Sequence, residues 1–441
     1  MTLSNRSPDD KSRDARPGQG RRVLLVATTT GYQTRMFSEA AARIGIELIY
    51  ATDRCDQLDD PWRDGAIAVR FHEEWRSVDT LLKAVDTRPI DAVLAVGDRP
   101  TVMAANLSRL LGLPGNPADA VSAARDKRLS REKLKDAGLP TPAFLTVPIG
   151  ADPTKLLSQL TFPVVLKPTV LSGSRGVIRA DDALSFATAF DRVRRLLASP
   201  DVRELRDPEA DVIQIEQYIP GSEYALEGIL ENGTLRTLAI FDKPDPLDGP
   251  FFEETIYVTP SRATSESQRQ IEDSVAAAIK ALGLHHGPIH AECRVNGQGV
   301  FVLEVAARPI GGLCAKSVRM ELGGVTISLE EFLLRHALGE QQADWTRERS
   351  ASAVMMIPIP RSGVYRGVEG VEEAGRVPGI QEVHITAKRD QKLLVLPEGA
   401  SYLGFLFARA AEPAAAERAV RAAHARLRFT IDPLLEIVNT K

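Results

Sequence analysis

The sequence predicts a chain of mixed α/β and α+β class, with a doubly wound domain first and α+β structure after it. Its 441 residues suffice for about three domains of ~150 residues each. Short, wholly apolar runs alternate with amphipathic stretches up to about residue 118, as in parallel sheets covered by helices. Farther along, hairpin signals such as Asn296-Gly297-Gln298-Gly299 indicate antiparallel strands between helices.

Composition excludes several classes of protein. The 55 Lys and Arg residues against 59 Asp and Glu residues leave a net charge of −4, so no basic field favours nucleic acid. No run reaches the ~18 apolar residues that a membrane helix needs, and we expect a soluble protein with no membrane partner. The cysteines Cys55, Cys293 and Cys314 are widely spaced and odd in number, which favours the reducing cytoplasm.

Four apolar runs predict the strands of the first domain, residues 21–118. They cover residues 23–27, 46–51, 66–69 and 91–98, and amphipathic stretches such as residues 103–111 accompany them. The polar residues 1–20 lack the apolar core of a signal peptide and predict a disordered tail. Neither the dinucleotide-binding glycine fingerprint nor a Walker loop occurs, so a nucleotide would have to be bound by another kind of motif.

The middle and last parts of the chain mix helices with hairpins. We expect helices near residues 118–137, 182–197 and 267–282, and strands near residues 162–168, 212–216, 224–231, 289–295 and 300–305. Residues 340–349 are highly charged and predict a linker. Short strands and an Ala- and Arg-rich helix near residues 412–427 follow, which indicates a small C-terminal α+β domain over residues 351–441.

The first chemical motif is a strand-end lysine, Lys167, followed by the glycine loop Ser172-Gly173-Ser174-Arg175-Gly176. Glycines bring backbone N–H groups close to an anion, and the lysine supplies a point charge for phosphate. Together they predict a phosphate clamp. The alternative is a mobile surface hairpin with a solvated lysine.

The second motif is a strand that ends at Glu216-Gln217-Tyr218-Ile219, turns at Pro220-Gly221 and returns with Glu223. Such a crossover leaves backbone amide and carbonyl groups free beside two carboxylates, which suits the edge of adenine and the ribose hydroxyls. A hairpin with solvated glutamates is the alternative.

The third motif places Glu292 and Glu304 on the two strands of one predicted hairpin, with Arg308 after it. The acids interrupt apolar strands, where carboxylates are costly unless they are paired or bound to metal. Two hard oxygen ligands suit magnesium, and the guanidinium suits a carboxylate or phosphoryl group. A buried Glu–Arg ion pair is the alternative. His285, His286 and His290 match no common zinc spacing.

In this order the motifs resemble the ATP-grasp superfamily of carboxylate–amine ligases, and the region around residues 91–142 is similar to its L-amino acid ligase branch. The resemblance covers about residues 21–340. It implies a Rossmann-like pre-ATP-grasp domain over residues 21–118. An ATP-grasp domain with two α+β lobes that grip ATP would cover residues 119–350, with a small C-terminal domain over residues 351–441.

The resemblance also implies roles for single residues. Lys127, which alone would be read as a solvated helix lysine, and Lys167 would bind the ATP phosphates. Arg308 would hold the acid and, with Lys167, act in catalysis. The remaining assignments are Ser172, Gly173, Ser174 and Gly176 in the loop over the phosphates, Glu216, Gln217 and Ile219 at adenine, Glu223 at ribose, and Glu292 and Glu304 at Mg²⁺, with Mn²⁺ as a substitute. Ala306 stands where many members have Asn.

The implied activity is an ATP-dependent, ADP-forming ligation of a carboxylate, expected to be an amino acid, to an amine through an acyl-phosphate. Its partners would be small-molecule acid and amine substrates, and by resemblance the protein could form a homodimer. One alternative is an ATP-grasp ligase or carboxylase for a purine-pathway or other small acid. A second is a nucleotide-binding regulator without catalysis, for which Ala306 is the one indication. Cys314 has no identifiable base and is expected to be a packing residue.

Overall fold

A computed structural model describes residues 20–28, 33–53, 66–169, 171–340 and 343–434. The predicted disordered tail, apart from Gly20, and Cys55 lie outside these residues. Within the described ranges, no helix has the length and apolar character to cross a membrane.

The first domain is a parallel sheet covered by helices, as predicted. Its strands β1 to β4 have the order β3-β2-β1-β4, and all pairs are parallel. The elements are β1 (Arg22–Ala27), α1 (Thr34–Ile44), β2 (Glu47–Thr52), β3 (Ile67–Ala68), α2 (Glu74–Asp86), β4 (Ala92–Val96) and α3 (Thr101–Leu111). At the carboxyl end of β4, Gly97 has a φ of +86°, a conformation that favours glycine, and Asp98 follows it.

The helix predicted over residues 118–137 is two helices, α4 (Ala118–Arg125) and α5 (Lys127–Asp136). Asp126 separates them because its backbone is extended and its side chain accepts hydrogen bonds from the amides of Arg128 and Leu129. A carboxylate at this position is a favourable helix N-cap. The break makes Lys127 the first residue of α5.

A four-stranded antiparallel sheet, here called the lid sheet, follows with the order β5-β8-β6-β7. Its strands are β5 (Phe144–Pro148), β6 (Val164–Pro168), β7 (Ile178–Ala180) and β8 (Val212–Gln217). The connections contain α6 (Ala183–Leu197), α7 (Pro200–Arg203) and 3₁₀ turns at Pro153–Gln159 and Pro208–Asp211. Asp182, the N-cap residue before helix α6, forms a capping box with Ser185.

The largest sheet has eight strands in the order β13-β12-β9-β10-β11-β17-β21-β19. Its first part contains β9 (Ser222–Glu231), β10 (Thr234–Asp242), β11 (Ile256–Thr259), α8 (Ser265–Leu282), β12 (Gly287–Asn296) and β13 (Gly299–Ala306). A 3₁₀ turn at Cys314–Ser317, the hairpin β14 (Arg319–Leu322) and β15 (Val325–Ser328), α9 (Leu329–Ala337) and β16 (Thr346–Arg347) come next. The segment predicted as a linker therefore contains a strand, and β16 pairs with β14.

The strands after residue 350 continue the large sheet, since β17 pairs with β11. The C-terminal elements are β17 (Ala351–Ile357), β18 (Gly363–Glu369), α10 (Val371–Gly375), β19 (Ile380–Ile385), β20 (Lys392–Leu393), β21 (Gly404–Ala410), α11 (Pro413–His424) and β22 (Arg428–Asp432). One hydrophobic cluster joins the first domain to both parts of this sheet. It contains Leu25, Phe37, Phe241, Val354 and Phe405, each no more than 1% exposed.

Candidate active site

A cavity of about 500 Å³ lies between the lid sheet and the large sheet. Its volume is within the range of small-molecule and cofactor sites. The residues named from the sequence that line it are Lys127, Lys167, Ser172, Gly173, Ser174, Glu216, Gln217, Ile219, Glu223, Glu292, Glu304 and Arg308. The structure therefore brings the three motifs together. Among the named residues, Gly176 does not line this cavity.

Lys127 extends from the first position of α5 towards this cavity. Its side chain is 16% exposed, and its Nζ donates to the Leu171 carbonyl at 2.9 Å. The same Nζ lies 3.9 Å from Glu304 Oε2. The alternative of a solvated helix lysine is therefore wrong, because the break at Asp126 turns this residue inwards.

Glu216 is buried and holds two cations at the back of the cavity. Its carboxylate oxygens lie 2.6 Å from Lys167 Nζ and 2.7 Å from Arg131 Nε. Burial alone would raise the Glu216 pKa, but Arg131 and Lys167 together lower it to about 2. Burial also lowers the Lys167 pKa, against the opposing effect of Glu216. The Glu216 side chain thus anchors Lys167, and this contact differs from the adenine contact that the resemblance implies.

The glycine loop follows β6 and turns through left-handed backbone at Gly173, Ser174 and Gly176, with φ values of +64°, +57° and +76°. A Cβ added to Gly176 would lie 2.7 Å from Pro168 Cγ, so this glycine is required for close packing against the strand. Its amide donates to the Pro397 carbonyl at 2.9 Å. Gly176 therefore packs the loop against β6 and does not face the cavity.

A C-terminal segment holds this loop in place. Glu398 accepts hydrogen bonds from Arg192 at 2.5 and 2.8 Å, and its backbone carbonyl accepts from Arg175 Nε at 2.9 Å. Ala400 and Ser401, from the same segment, line the cavity. No local pattern in the sequence indicates this contact, because Glu398 lies more than 200 residues after the loop.

The backbone of the crossover after β8 is largely occupied. The Gln217 amide donates to the Ala143 carbonyl and the Tyr218 amide to the Pro163 carbonyl, both at 2.9 Å. The Ile219 carbonyl accepts from Arg294 Nη1 at 2.8 Å. In the part of the chain that the structure describes, the Ile219 amide N–H has no hydrogen-bond partner. Ile219 is thus better placed than Gln217 to donate to an adenine edge.

Three glutamates surround one buried lysine on the floor of the cavity. Lys243 Nζ lies 2.8 Å from Glu223 Oε1, 2.6 Å from Glu254 Oε1 and 2.8 Å from Glu292 Oε1. Burial would lower the Lys243 pKa, but the three carboxylates raise it well above its usual value. Burial raises the Glu254 pKa to about 7, although Lys243 opposes that shift.

Lys243 and Glu254 were missed in the sequence. Both lie near the connection between β10 and β11, where an apolar strand runs directly into charged residues. That interruption is the same signal that identified Glu292 and Glu304, and it could have been applied here.

The predicted metal ligands are neighbours across the hairpin, because Glu292 is directly opposite Glu304 in the pairing of β12 with β13. Glu292 also has a ligand oxygen within 4.8 Å of one from each of Glu223 and Glu254. These hard carboxylate oxygens fit Mg²⁺ or Mn²⁺. Ala306 adds no side-chain oxygen, so Glu292 and Glu304 would hold the ion with ligands from the substrates or water.

Arg308 is 8% exposed and pairs with Asp98 from the first domain. Its Nε and Nη2 donate to the two Asp98 oxygens at 2.6 and 3.2 Å. Burial would raise the Asp98 pKa, but Arg308 lowers it below its usual value. The alternative of an ion pair with Glu292 or Glu304 is therefore wrong. Asp98 was missed as a site residue, although it ends a strand that the sequence predicted.

Two cysteines, Cys293 and Cys314, and one histidine, His290, lie close to these charged groups. Cys293 and Cys314 are free and buried, and burial raises the pKa of Cys293 to about 12. Burial likewise raises the Cys314 pKa, which agrees with a packing role and not with a thiolate nucleophile. His290 lines the cavity. Burial would lower its pKa, but the adjacent Glu227 raises it to about 9.

The chain folds as a parallel α/β domain followed by two sheets, and the cavity between these sheets holds lysines, a glycine loop and paired carboxylates. This arrangement is typical of proteins that bind a nucleotide between two sheets. Three family models match the chain in the corresponding order. They are the ATP-grasp N-terminal domain over residues 38–115, the ATP-grasp domain over residues 160–317 and the L-amino acid ligase C-terminal domain 2 over residues 355–432. The chain therefore contains ATP-grasp N-terminal and core domains followed by an L-amino acid ligase C-terminal domain.

Curated relatives share about a quarter of their residues with the chain. The uncharacterized protein y4rH of Sinorhizobium fredii is 24% identical over 75% of this chain and 66% of its own length. Alanine--anticapsin ligase of Bacillus amyloliquefaciens is 26% identical over 60% and 58%. Carnosine synthase 1 of Gallus gallus is 27% identical over 70% and 34%. The chain spans less than two thirds of the length of these relatives.

Solved structures share the fold over nearly the whole chain. The L-amino acid ligase from Bacillus licheniformis is 25% identical with a TM-score of 0.79, and the match covers 94% of this chain and 99% of that one. N5-carboxyaminoimidazole ribonucleotide synthetase from Thermotoga maritima has a TM-score of 0.65 at 16% identity, covering 93% and 100%. The second likeness concerns the fold alone.

Proposed function

We propose that this chain is an ATP-dependent, ADP-forming ligase that joins the carboxylate of an amino acid to an amine through an acyl-phosphate. The observation that carries the proposal is the convergence of Lys127, Lys167, Glu292, Glu304 and Arg308 on one cavity. Relatives named as ligases, among them alanine--anticapsin ligase and carnosine synthase 1, support it.

The chemistry begins with activation of the acid. A carboxylate is a poor electrophile with a poor leaving group, so direct attack by an amine is slow. Attack of a carboxylate oxygen on the γ-phosphorus of ATP breaks the bond to the β–γ bridging oxygen and releases ADP. The amine then adds to the acyl carbon, phosphate leaves, and the amine nitrogen gives up its proton to form the amide.

Cations on two sides of the cavity suit the first step. Lys127 and Lys167 come from α5 and the lid sheet, and they would neutralise the charge on the phosphates. Arg308 would hold the acid from the side of the large sheet, with a planar fork that matches a carboxylate. Mg²⁺ bound by Glu292 and Glu304 would supply further positive charge to the phosphates.

The nucleoside would lie against the crossover after β8. The free amide of Ile219 is a donor for an adenine nitrogen. Glu223 contacts Lys243 at 2.8 Å and Arg294 Nε at 2.9 Å, which fixes its carboxylate and leaves oxygen lone pairs for ribose hydroxyls. The glycine loop would cover the phosphates, and exclusion of water there protects the acyl-phosphate from hydrolysis.

The test is a panel of amino acids and other small acids, crossed with a panel of amines. Purified protein with Mg²⁺ and ATP is assayed for ADP release, and the product is identified by mass. We expect ADP release that requires both an acid and an amine, and we expect the Glu304→Ala variant to lose it. Glu231→Ala, an exposed glutamate on β9, is the matched control and should keep wild-type turnover.

Other outcomes would point elsewhere. Turnover of purine-pathway or other small acids only would favour the first alternative. ATP binding without acid-dependent phosphate release across the whole panel would favour the nucleotide-binding regulator. Near wild-type turnover in Glu304→Ala would contradict the metal assignment. The homodimer and the cytoplasmic location stay predictions, to be checked by light scattering and by fractionation of cells.

A further inference from the structure

Glu227 on β9 is a buried acid that no step above uses, and it contacts two residues that line the cavity, His290 and Ile310. It is 2% exposed and lies directly opposite His290 in the pairing of β9 with β12. Side chains of opposed residues share one face of a sheet, and here that face is turned towards Arg308 and the residues after it. An ionised carboxylate in such a place is costly unless each oxygen has a partner.

Both Glu227 oxygens do have partners. One partner lies beside the predicted metal ligand Glu292, and the other belongs to the segment that begins at Arg308. Oε1 contacts His290 Nδ1, and the other imidazole nitrogen, Nε2, lies 3.5 Å from Glu292 Oε1. Oε2 accepts a hydrogen bond from the Ile310 amide at 3.1 Å. Ile310 lies in the segment of residues 308–312, here called the substrate loop, which begins at Arg308 and lines the cavity.

We propose that Glu227 is a positioning residue that links the metal-binding carboxylate Glu292, through His290, to the substrate loop at Ile310. Glu292 would hold the metal and thereby the phosphates, whereas the substrate loop carries the guanidinium that would hold the acid. The link therefore sets the distance between the phosphorus and the attacking oxygen. Misplacement by about 1 Å at such a step can cost about 100-fold in rate.

The surrounding contacts make this link specific to Glu227. Glu254 and Glu223, the other acids beside Glu292, are held by Lys243, and among the described residues neither forms a hydrogen bond or ion pair with the substrate loop. The Ile310 carbonyl accepts a hydrogen bond from Gln33 of the first domain. The Ile310 peptide is thus fixed on both sides, and Glu227 supplies the side-chain connection from this peptide, through His290, to Glu292.

This inference rests on the proposed function, so its test measures metal binding and acid binding separately. Mn²⁺ affinity in the presence of ADP is measured by electron paramagnetic resonance, which needs no turnover. The KM for the best acid in the panel is measured alongside it. Thermal unfolding without metal or nucleotide shows whether each variant is folded.

The variants are Glu227→Gln and His290→Gln, with Glu231→Gln as the control on the same strand. We expect Glu227→Gln to weaken Mn²⁺ binding about 10-fold, as lost outer partners of metal ligands do, and to raise the KM for the acid about 10-fold. His290→Gln should weaken Mn²⁺ binding about equally and change the acid KM less than about 2-fold, because the Glu227–Ile310 bond remains. The control should change neither.

A folded Glu227→Gln variant with Mn²⁺ affinity within 2-fold of wild type would overturn the link. An equal rise of the acid KM in His290→Gln would overturn the assignment of the substrate loop to Glu227. If Glu227→Gln fails to fold, unchanged Mn²⁺ affinity in His290→Gln still overturns the proposal. If the wild type turns over no acid, the proposed function fails, and the Mn²⁺ measurements still decide the link.

Discussion

Asp98 and Arg308 are 210 positions apart in the chain and meet in a two-point hydrogen bond at 2.6 and 3.2 Å. Asp98 lies two residues after β4 of the first domain, and Arg308 follows β13 of the large sheet. The first domain thus orients the guanidinium that we propose binds the acid. A planar fork held at one edge keeps its remaining N–H groups aimed in one direction.

Replacement of Asp98 should therefore impair acid binding more than nucleotide binding. In Asp98→Asn we expect the KM for the acid to rise about 10-fold, because one charge-assisted hydrogen bond is worth about 1.5 kcal/mol. The KM for ATP should change less than about 2-fold. Steady-state kinetics with each substrate varied in turn measures both. Equal increases in the two KM values would show that Asp98 acts on the whole cavity and not on Arg308.

Glu216 should make stability depend on pH in acid. Its folded pKa of about 2 lies below the usual value of 4.5, so its contribution is present above about 4.5 and is lost as pH falls towards 2. A shift of this size corresponds to a few kcal/mol. Glu216→Gln should be destabilised by about 3 kcal/mol near pH 7, since it leaves buried cations unpaired.

The deficit of Glu216→Gln should shrink as the pH falls below about 4.5. Urea unfolding at several pH values measures it, and Glu204→Gln, an exposed acid directly after α7, is the control. A deficit that stays constant down to the lowest pH at which the wild type is folded would contradict the ion-pair explanation.

Loss of Glu398 should loosen the glycine loop. Its carboxylate holds Arg192 of α6 through two hydrogen bonds, and about a third of the side chain is exposed. This ion pair fixes the segment whose carbonyl accepts a hydrogen bond from Arg175 of the loop. In Glu398→Ala we expect water to reach the acyl-phosphate, so that ADP release exceeds amide formation by several-fold. Paired assays of ADP and product measure the ratio. The exposed Glu412→Ala serves as control, and a ratio of one in Glu398→Ala would refute the role in closure.

Lys243 should be replaceable in part by a divalent cation. Lys243→Met removes the counter-ion that Glu223, Glu254 and Glu292 share, which should destabilise the fold by about 3–5 kcal/mol. Because carboxylate oxygens of these three residues lie within 4.8 Å of one another, Mn²⁺ can take the place of the ammonium group. We expect Mn²⁺ to raise the Tm of Lys243→Met by more than it raises that of the wild type.

The matched control for this variant is Lys280→Met, an exposed lysine on α8. Its Tm should respond to Mn²⁺ as the wild type does. An equal response in Lys243→Met would mean that the three carboxylates do not bind the ion.

The sequence predicts the fold and the location of the site because both depend on local patterns. Apolar runs identify β1, β4 and β12, and charges within such runs identify Glu292 and Glu304. The partners of those charges depend on distant chain segments. Nothing near Arg308 in the sequence indicates Asp98, and Glu216 becomes an anchor for Lys167 only when α5 supplies Arg131.

Helix ends and sheet membership show the same limit. A single aspartate, Asp126, divides a helix that periodicity alone predicts as continuous, and its effect is to turn Lys127 inwards. Likewise, β17 looks in sequence like the start of a small domain of its own. Its partner is β11, and only the folded chain shows that pairing.

The pairing of β11 with β17 has a consequence for any shortened version of the chain. Ending the polypeptide near residue 350 would remove β17, β21 and β19 and leave the main-chain donors and acceptors on one side of β11 open. A bare edge of this kind recruits strands from other molecules and leads to aggregation. The part of the chain before residue 350 therefore cannot be isolated simply by cutting at the junction that the sequence suggests.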